Sequence, residues 1–228
     1  VRCYGVGYQG GEKMENLNLI LFISFALPLI MSFFVCKNRV RAANVFLFIG
    51  MCVCLFCGEL SAVVLRALPY DQRFFASNIG PFFEEVFKAF PILVYVFVYK
   101  PERRKLYECA VMDGIGFAVL ENAFILGGSA ASVSVVDAIM RGLGAGIMHG
   151  LCTLAVGYGM SFVHTKRKLF RTGTVAMLAA ATIYHATYNT IVQSTHLWMG
   201  VLLPVVTLVP VLILMDKTEK RRKAGKMK

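Results

Sequence analysis

Glu84, Glu85, Lys88, Asp113, Glu121, Asp137, Arg141, His149 and His185 interrupt otherwise apolar stretches, with the amides Asn122 and Asn189 beside them. A charge at the centre of a bilayer costs about 2.5–3.5 kcal/mol on insertion scales. Such a group is retained where it faces a partner or a water-filled cavity. Residues three or four apart share a helix face. On that spacing Glu84-Glu85-Val86-Phe87-Lys88 sets two acids beside a cation, and Glu121 follows Phe117 by four. His185 precedes Asn189 by four, and Asp137 precedes Arg141 by four, an expected ion pair. Adjacent carboxylates in a low dielectric repel unless a cation such as Lys88 or Arg141 offsets them. Two acids in unequal surroundings suit general acid–base chemistry.

These side chains need helices to carry them through lipid. About 20 mostly apolar residues cross a bilayer. Seven stretches qualify: Leu17–Val35, Ala43–Leu65, Ser77–Tyr99, Tyr107–Leu126, Val133–Val163, Thr172–Gln193 and Leu197–Met215. Of 228 residues 57% are apolar and only 16% charged, against roughly 25% in soluble domains. Mean hydropathy is +0.65. Disordered tails, collagen-like repeats and ordinary soluble enzymes are excluded. The expected fold is all-α, a polytopic transmembrane bundle of about seven spans, with the four helices from the third to the sixth carrying the polar site.

The chain has 24 Lys+Arg against 13 Asp+Glu, a net charge of +11. The basic residues gather after the first, third, fifth and seventh spans, as Lys37–Arg41, Lys100–Lys105, Lys166–Arg171 and Lys217–Lys228. By the positive-inside tendency this alternation sets the N-terminus outside and the C-terminus in the cytoplasm of a multi-pass protein of the cell membrane, bacterial in type. The partners expected are the lipid bilayer and no nucleic acid. Gly10-Gly11-Glu12-Lys13 ahead of Met14 reads as a non-native leader, or an extracytoplasmic stub, over 1–13. A single membrane domain follows over 14–216, with its core at 77–193, then a basic tail over 217–228.

Depth follows from the 1.5 Å helical rise. Glu84 comes seven residues after Ser77, Glu121 five before Leu126 and His185 eight before Gln193, all in the outer half. His149 comes sixteen after Val133 and should lie deeper unless the fifth span starts late. One cluster opening outward is expected. Asp113, near the inner end of its span, is expected to be hydrated. His164 and His196 fall at span ends, and Trp198 reads as an interfacial anchor. Cys52, Cys54 and Cys57 read as small buried hydrophobes. The glycines of the fifth span read as a small face for close packing.

Glu-Glu-x-x-Lys at Glu84, Phe-x-x-x-Glu ending at Glu121, a lone His149 and His-x-x-x-Asn at His185 occur in that order, one per span. At these residues the chain resembles the PrsW family of intramembrane proteases, relatives of the CAAX-processing and bacteriocin-processing membrane proteases. The likeness covers about Ser77 to Gln193, and Glu121 stands where the CAAX-type relatives have His. It implies an intramembrane peptidase cutting a membrane-anchored protein substrate, such as an anti-sigma factor in envelope stress. It also implies that Glu84 and Glu85 activate water and that His149 belongs to the same water-binding or metal-binding set. His185 and Asn189 would stabilise the oxyanion, with Lys88, Arg141 and Asn122 supporting.

Two mechanisms stay open. In the favoured one, a glutamate with His assistance activates water and no cofactor is required. In the other, Glu85, Glu121, His149 and His185 hold zinc, although the His-Glu-x-x-His signature is absent. The rival function is a proton- or cation-coupled transporter using the same carboxylates and histidines. The chain shows none of the internal repeats common in transporters.

Overall fold

The computed structural model describes residues 40–129, 134–194 and 198–226. The span expected at Leu17–Val35, the leader over 1–13 and His196 lie outside the described residues. Everything regular within them is helical. The first helix, α1, runs Val40–Ala67. It stops one residue short of the Leu68-Pro69 step, because the residue before a proline resists helical backbone.

Asp71 restarts the helix, its carboxylate accepting from the backbone N–H groups of Arg73 (2.9 Å) and Phe74 (3.1 Å). One helical turn, Gln72–Phe74, passes through a wide π turn, Phe75–Ile79, into α2, Gly80–Tyr99. Pro81 in the first turn of α2 needs no N–H partner there. α2 ends at Lys100, left-handed at φ 46. Then come α3 (Arg103–Ser129), α4 (Val135–Met160), α5 (Arg167–Val192) and α6 (Met199–Lys226). α6 does not stop at the membrane segment but carries on through the basic residues of the tail.

Four of these helices are long and apolar enough to cross a membrane: Arg41–Ala67, Arg103–Gly127, Val135–Met160 and Met199–Lys217. The stretches expected at Ser77–Tyr99 and Thr172–Gln193 also form helices, α2 and α5. Each is more polar: Glu84, Glu85 and Lys88 sit within one turn of α2, and Arg167, Lys168 and Arg171 open α5.

The bundle is layered around α3 and α4. In each, 67% of the most apolar stretch is buried, against 22% in α1 and 11% in α6. α3 and α4 are therefore the interior, while α1 and α6 turn most of their surface outward. α1 packs on α3, α3 on α4, and α4 on both α5 and α6. Ile92, Ala110, Val119, Ala145 and Met148, each at 0% exposure, form the main core.

Small residues set the helix spacing. A methyl group on Gly116 would run into the backbone carbonyl of Leu47 on α1, and one on Gly50 into that of Asp113 on α3. Gly114 meets the His149 carbonyl and the Thr153 side chain on α4 in the same way. α4 contributes buried Gly142, Gly144, Gly146, Gly150, Gly157 and Gly159, which agrees with the small face read from the sequence. Backbone, unlike a side-chain tip, cannot step aside. Gly116→Ala should therefore lower stability by about 1–3 kcal/mol, the range for overpacking a filled core. Thermal unfolding in detergent measures this, and an unchanged midpoint would mean that α1 and α3 separate freely.

The close α1–α3 crossing also corrects the expectation for Asp113. Its side chain is 0% exposed and neither carboxylate oxygen has a hydrogen-bond partner among the described residues. Proximity to a helix end does not hydrate a group over which a second helix passes at glycine distance.

Candidate active site

The cluster is built by α2, α3, α4 and α5. Glu84, Glu85 and Lys88 come from α2, Glu121 and Asn122 from α3, His149 and Arg141 from α4, and His185 and Asn189 from α5. Its centre is Glu85, at 0% exposure. Glu85 Oε1 accepts from Lys88 Nζ at 2.6 Å and from His185 Nδ1 at 2.8 Å. Lys88 Nζ also lies 2.9 Å from His149 Nδ1. An ammonium only donates, so Nδ1 of His149 accepts, and its other nitrogen carries the ring proton. That nitrogen, Nε2, donates to Glu121 Oε2 at 3.0 Å. The two imidazoles meet edge to face, with centroids 4.7 Å apart. His149 is thus level with His185, not deeper as the residue count from Val133 had it.

The same reasoning fixes His185. Its Nδ1 donates to Glu85, which leaves a lone pair on Nε2. Nε2 has no hydrogen-bond partner among the described residues and lies 3.7 Å from Glu84 Oε2, itself unpartnered. Glu85 Oε2 is unpartnered as well. Buried polar atoms are seldom left so. Three such atoms fall in this one cluster. Lys88, Glu85, His149 and His185 are sealed at 0% exposure, whereas the side chains of Glu84 and Glu121 keep 16% and 19%. Glu84 and Glu121 are therefore the acids of the cluster that keep some exposure, as does Arg141 at 20%. Both acids lie in the wall of a cavity of about 200 Å³ between α1 and α3.

Two neighbours differ from expectation. Asp137 does not pair with Arg141. It closes the N-terminus of α4, accepting from the Ser134 hydroxyl (2.8 Å) and backbone N–H (3.2 Å) while Ser134 Oγ accepts from Asp137 N. This is a capping box with Asp in the third position. An i, i+4 spacing cannot distinguish a cap from an ion pair when the helix begins three residues earlier. Arg141 leans instead toward Glu121, with Nη2 3.7 Å from Oε2 and Nε buried without a hydrogen-bond partner among the described residues. Asn189 donates from Nδ2 to the Ala76 carbonyl at 2.9 Å, tying α5 to the π turn ahead of α2. Asn122 is 0% exposed with neither side-chain atom partnered among the described residues.

Cys54 and Cys57 are buried and free, packed with Phe117. They also line the cavity that Glu84 and Glu121 face. Their three-residue spacing showed a shared helix face, but nothing in the sequence said that this face would meet the acids. His164 Nε2 lies 3.1 Å from the Val96 carbonyl and so bridges α2 to the end of α4.

The donor chemistry suits a divalent metal. One ligand atom each from Glu84, His149 and His185 can be chosen so that all lie within 4.8 Å of one another. His185 is aimed by a carboxylate on its far nitrogen, the usual support of a metal-binding imidazole. His149 Nε2 would release the proton it now shares with Glu121, as ligands do on metal binding.

No curated protein and no solved structure matches the chain. The family model described as PrsW family intramembrane metalloprotease matches residues 39–215. That match spans well over half of the chain and every helix that lends a side chain to the cluster, so the protein belongs to the PrsW family of intramembrane proteases.

Proposed function

We propose that the protein hydrolyses a peptide bond of a membrane-anchored protein substrate, an anti-sigma factor being the kind the family likeness implies. The observation that carries this reading is the unpartnered, facing pair of Glu84 Oε2 and His185 Nε2, 3.7 Å apart beside the His149–Glu121 pair. Water held there has an acceptor on each side. Glu84 takes its proton as the oxygen bonds to the scissile carbonyl carbon. The carbonyl oxygen becomes an alkoxide, and Arg141, whose buried Nε–H has no partner among the described residues, offers it a charged donor. As the C–N bond breaks, Glu84 returns the proton to the leaving amine. Glu85, through Oε1, and Lys88 hold the two imidazoles in place. Asn189 positions the start of α2 through Ala76.

Glu84, His149 and His185 are the residues that would hold zinc in this site. When bound it would supply a water acidic enough to attack near neutral pH. The basic loops support a cluster that faces the outer side of the cell membrane, with the C-terminus cytoplasmic.

The test is cleavage of single-span peptides by the purified protein in liposomes, with zinc content measured alongside. Wild type should cut, and His185→Ala should lose about 100-fold in rate, the order expected when a reacting group is misplaced. Ion flux without cleavage would overturn the reading in favour of a transporter. Loss of cleavage on chelation, restored by zinc alone, would assign the metal-dependent version.

A further inference from the structure

We propose that the cavity between α1 and α3 receives the side chain of the substrate residue next to the scissile bond, and that it selects an apolar side chain of up to phenyl size. This rests on the hydrolytic reading above. At one end the cavity has Glu84 and Glu121, the two acids of the cluster that retain exposure. The rest of its wall is apolar or small: Cys54, Cys57, Gly58 and Ser61 from α1 with Phe117, Phe124 and Ile125 from α3. A peptide whose carbonyl carbon lies against Glu84 has its neighbouring side chain within reach of that wall.

Size and chemistry then define what fits. The cavity measures about 200 Å³, and an engineered apolar cavity of roughly 150 Å³ is known to take up benzene. Leucine, isoleucine, methionine and phenylalanine side chains are of that order. An acidic side chain would have to shed its water against aromatic rings and buried thiols, with Glu84 and Glu121 repelling it. The two cysteines contribute as small apolar groups, and both are free.

Gly58 sets the depth. Gly58 lines the cavity, and a methyl group built there meets nothing within 4 Å among the described residues, so a larger residue would strike no described backbone. Phe124 is half exposed at 58%, and its truncation would widen the wall without opening the core. The two positions therefore allow opposite changes in one pocket.

The experiment uses full-length protein in liposomes and a library of single-span peptides carrying Ala, Leu, Phe or Trp at each position in turn. Cut sites are located by mass spectrometry. Wild type should prefer Leu or Phe beside the cut. Gly58→Leu should shift the preference to Ala, lowering the Phe/Ala ratio of kcat/KM at least tenfold, in the range of a filled apolar pocket. Phe124→Ala should shift it toward Trp. Opposite shifts with a common cut site support the assignment. An unchanged profile in both variants, as would follow from a lipid chain filling the cavity, overturns it while leaving hydrolysis intact. A uniform loss for all peptides in Gly58→Leu with no shift in Phe124→Ala overturns it equally. No cleavage by wild type defeats the hydrolytic reading instead.

Discussion

Glu84→Gln should lower cleavage of a reconstituted substrate by about 10²–10⁴-fold, the usual contribution of a positioned acid–base group, with little change in folding stability. The two halves of that expectation come from one fact. Glu84 Oε2 takes part in no hydrogen bond within the described structure, so an amide of equal size disturbs no partner. What it removes is the ability to accept a proton from water. Glu85→Gln differs in kind, because Glu85 Oε1 holds both Lys88 and His185. That variant should lose activity and stability together. Rates of peptide cleavage beside thermal unfolding midpoints separate the two positions. A Glu84→Gln protein that cuts at the wild-type rate would remove Glu84 from the chemistry.

The second large effect falls on Lys88. Lys88→Met should cost about 3–5 kcal/mol in stability, the range for leaving one member of a buried charge pair alone. The ammonium is 0% exposed and lies 2.6 Å from Glu85 Oε1 and 2.9 Å from His149 Nδ1. Its removal strands a carboxylate and frees an imidazole to turn. The double change Lys88→Met with Glu85→Gln should recover much of the stability, since neither charge is then unpaired. Activity should stay lost, because His149 and His185 no longer have the partners that orient them. Thermal unfolding of both variants measures the recovery. Equal destabilisation in the single and double variants would mean that Lys88 acts through packing alone.

Much of this site was readable before any coordinates. A membrane segment tolerates acids, imidazoles and a lysine only where they meet something, so Glu84, Glu85, Lys88, Glu121, His149 and His185 could be collected from apolar context and spacing alone. Helices over 43–65, 107–126 and 197–215 were equally plain, for long apolar runs have few alternatives. Which partner each group takes was not readable. Asp137 and Arg141 have the spacing of a pair, yet Ser134 claims the aspartate because a helix begins there. Asp113 counts as near a helix end, yet α1 crosses over it at Gly50. Both depend on contacts between helices, and residue spacing within one helix carries no record of what lies across from it. The cysteine face fell to the same limit.

The widened coil at Phe75–Ile79 has a consequence for how α2 is aimed. An α-helix advances about 100° per residue, as follows from 3.6 residues per turn. A single extra residue accommodated in one loop of the coil rotates everything after it by that angle. The capped turn at Asp71 and the Asn189 tie at Ala76 fix the azimuth before and within the widening. The glutamates of α2 thereby owe their bearing to one surplus residue five to ten positions upstream. A related chain lacking that residue would have to rotate its Glu-Glu pair back by other means, or point it at lipid.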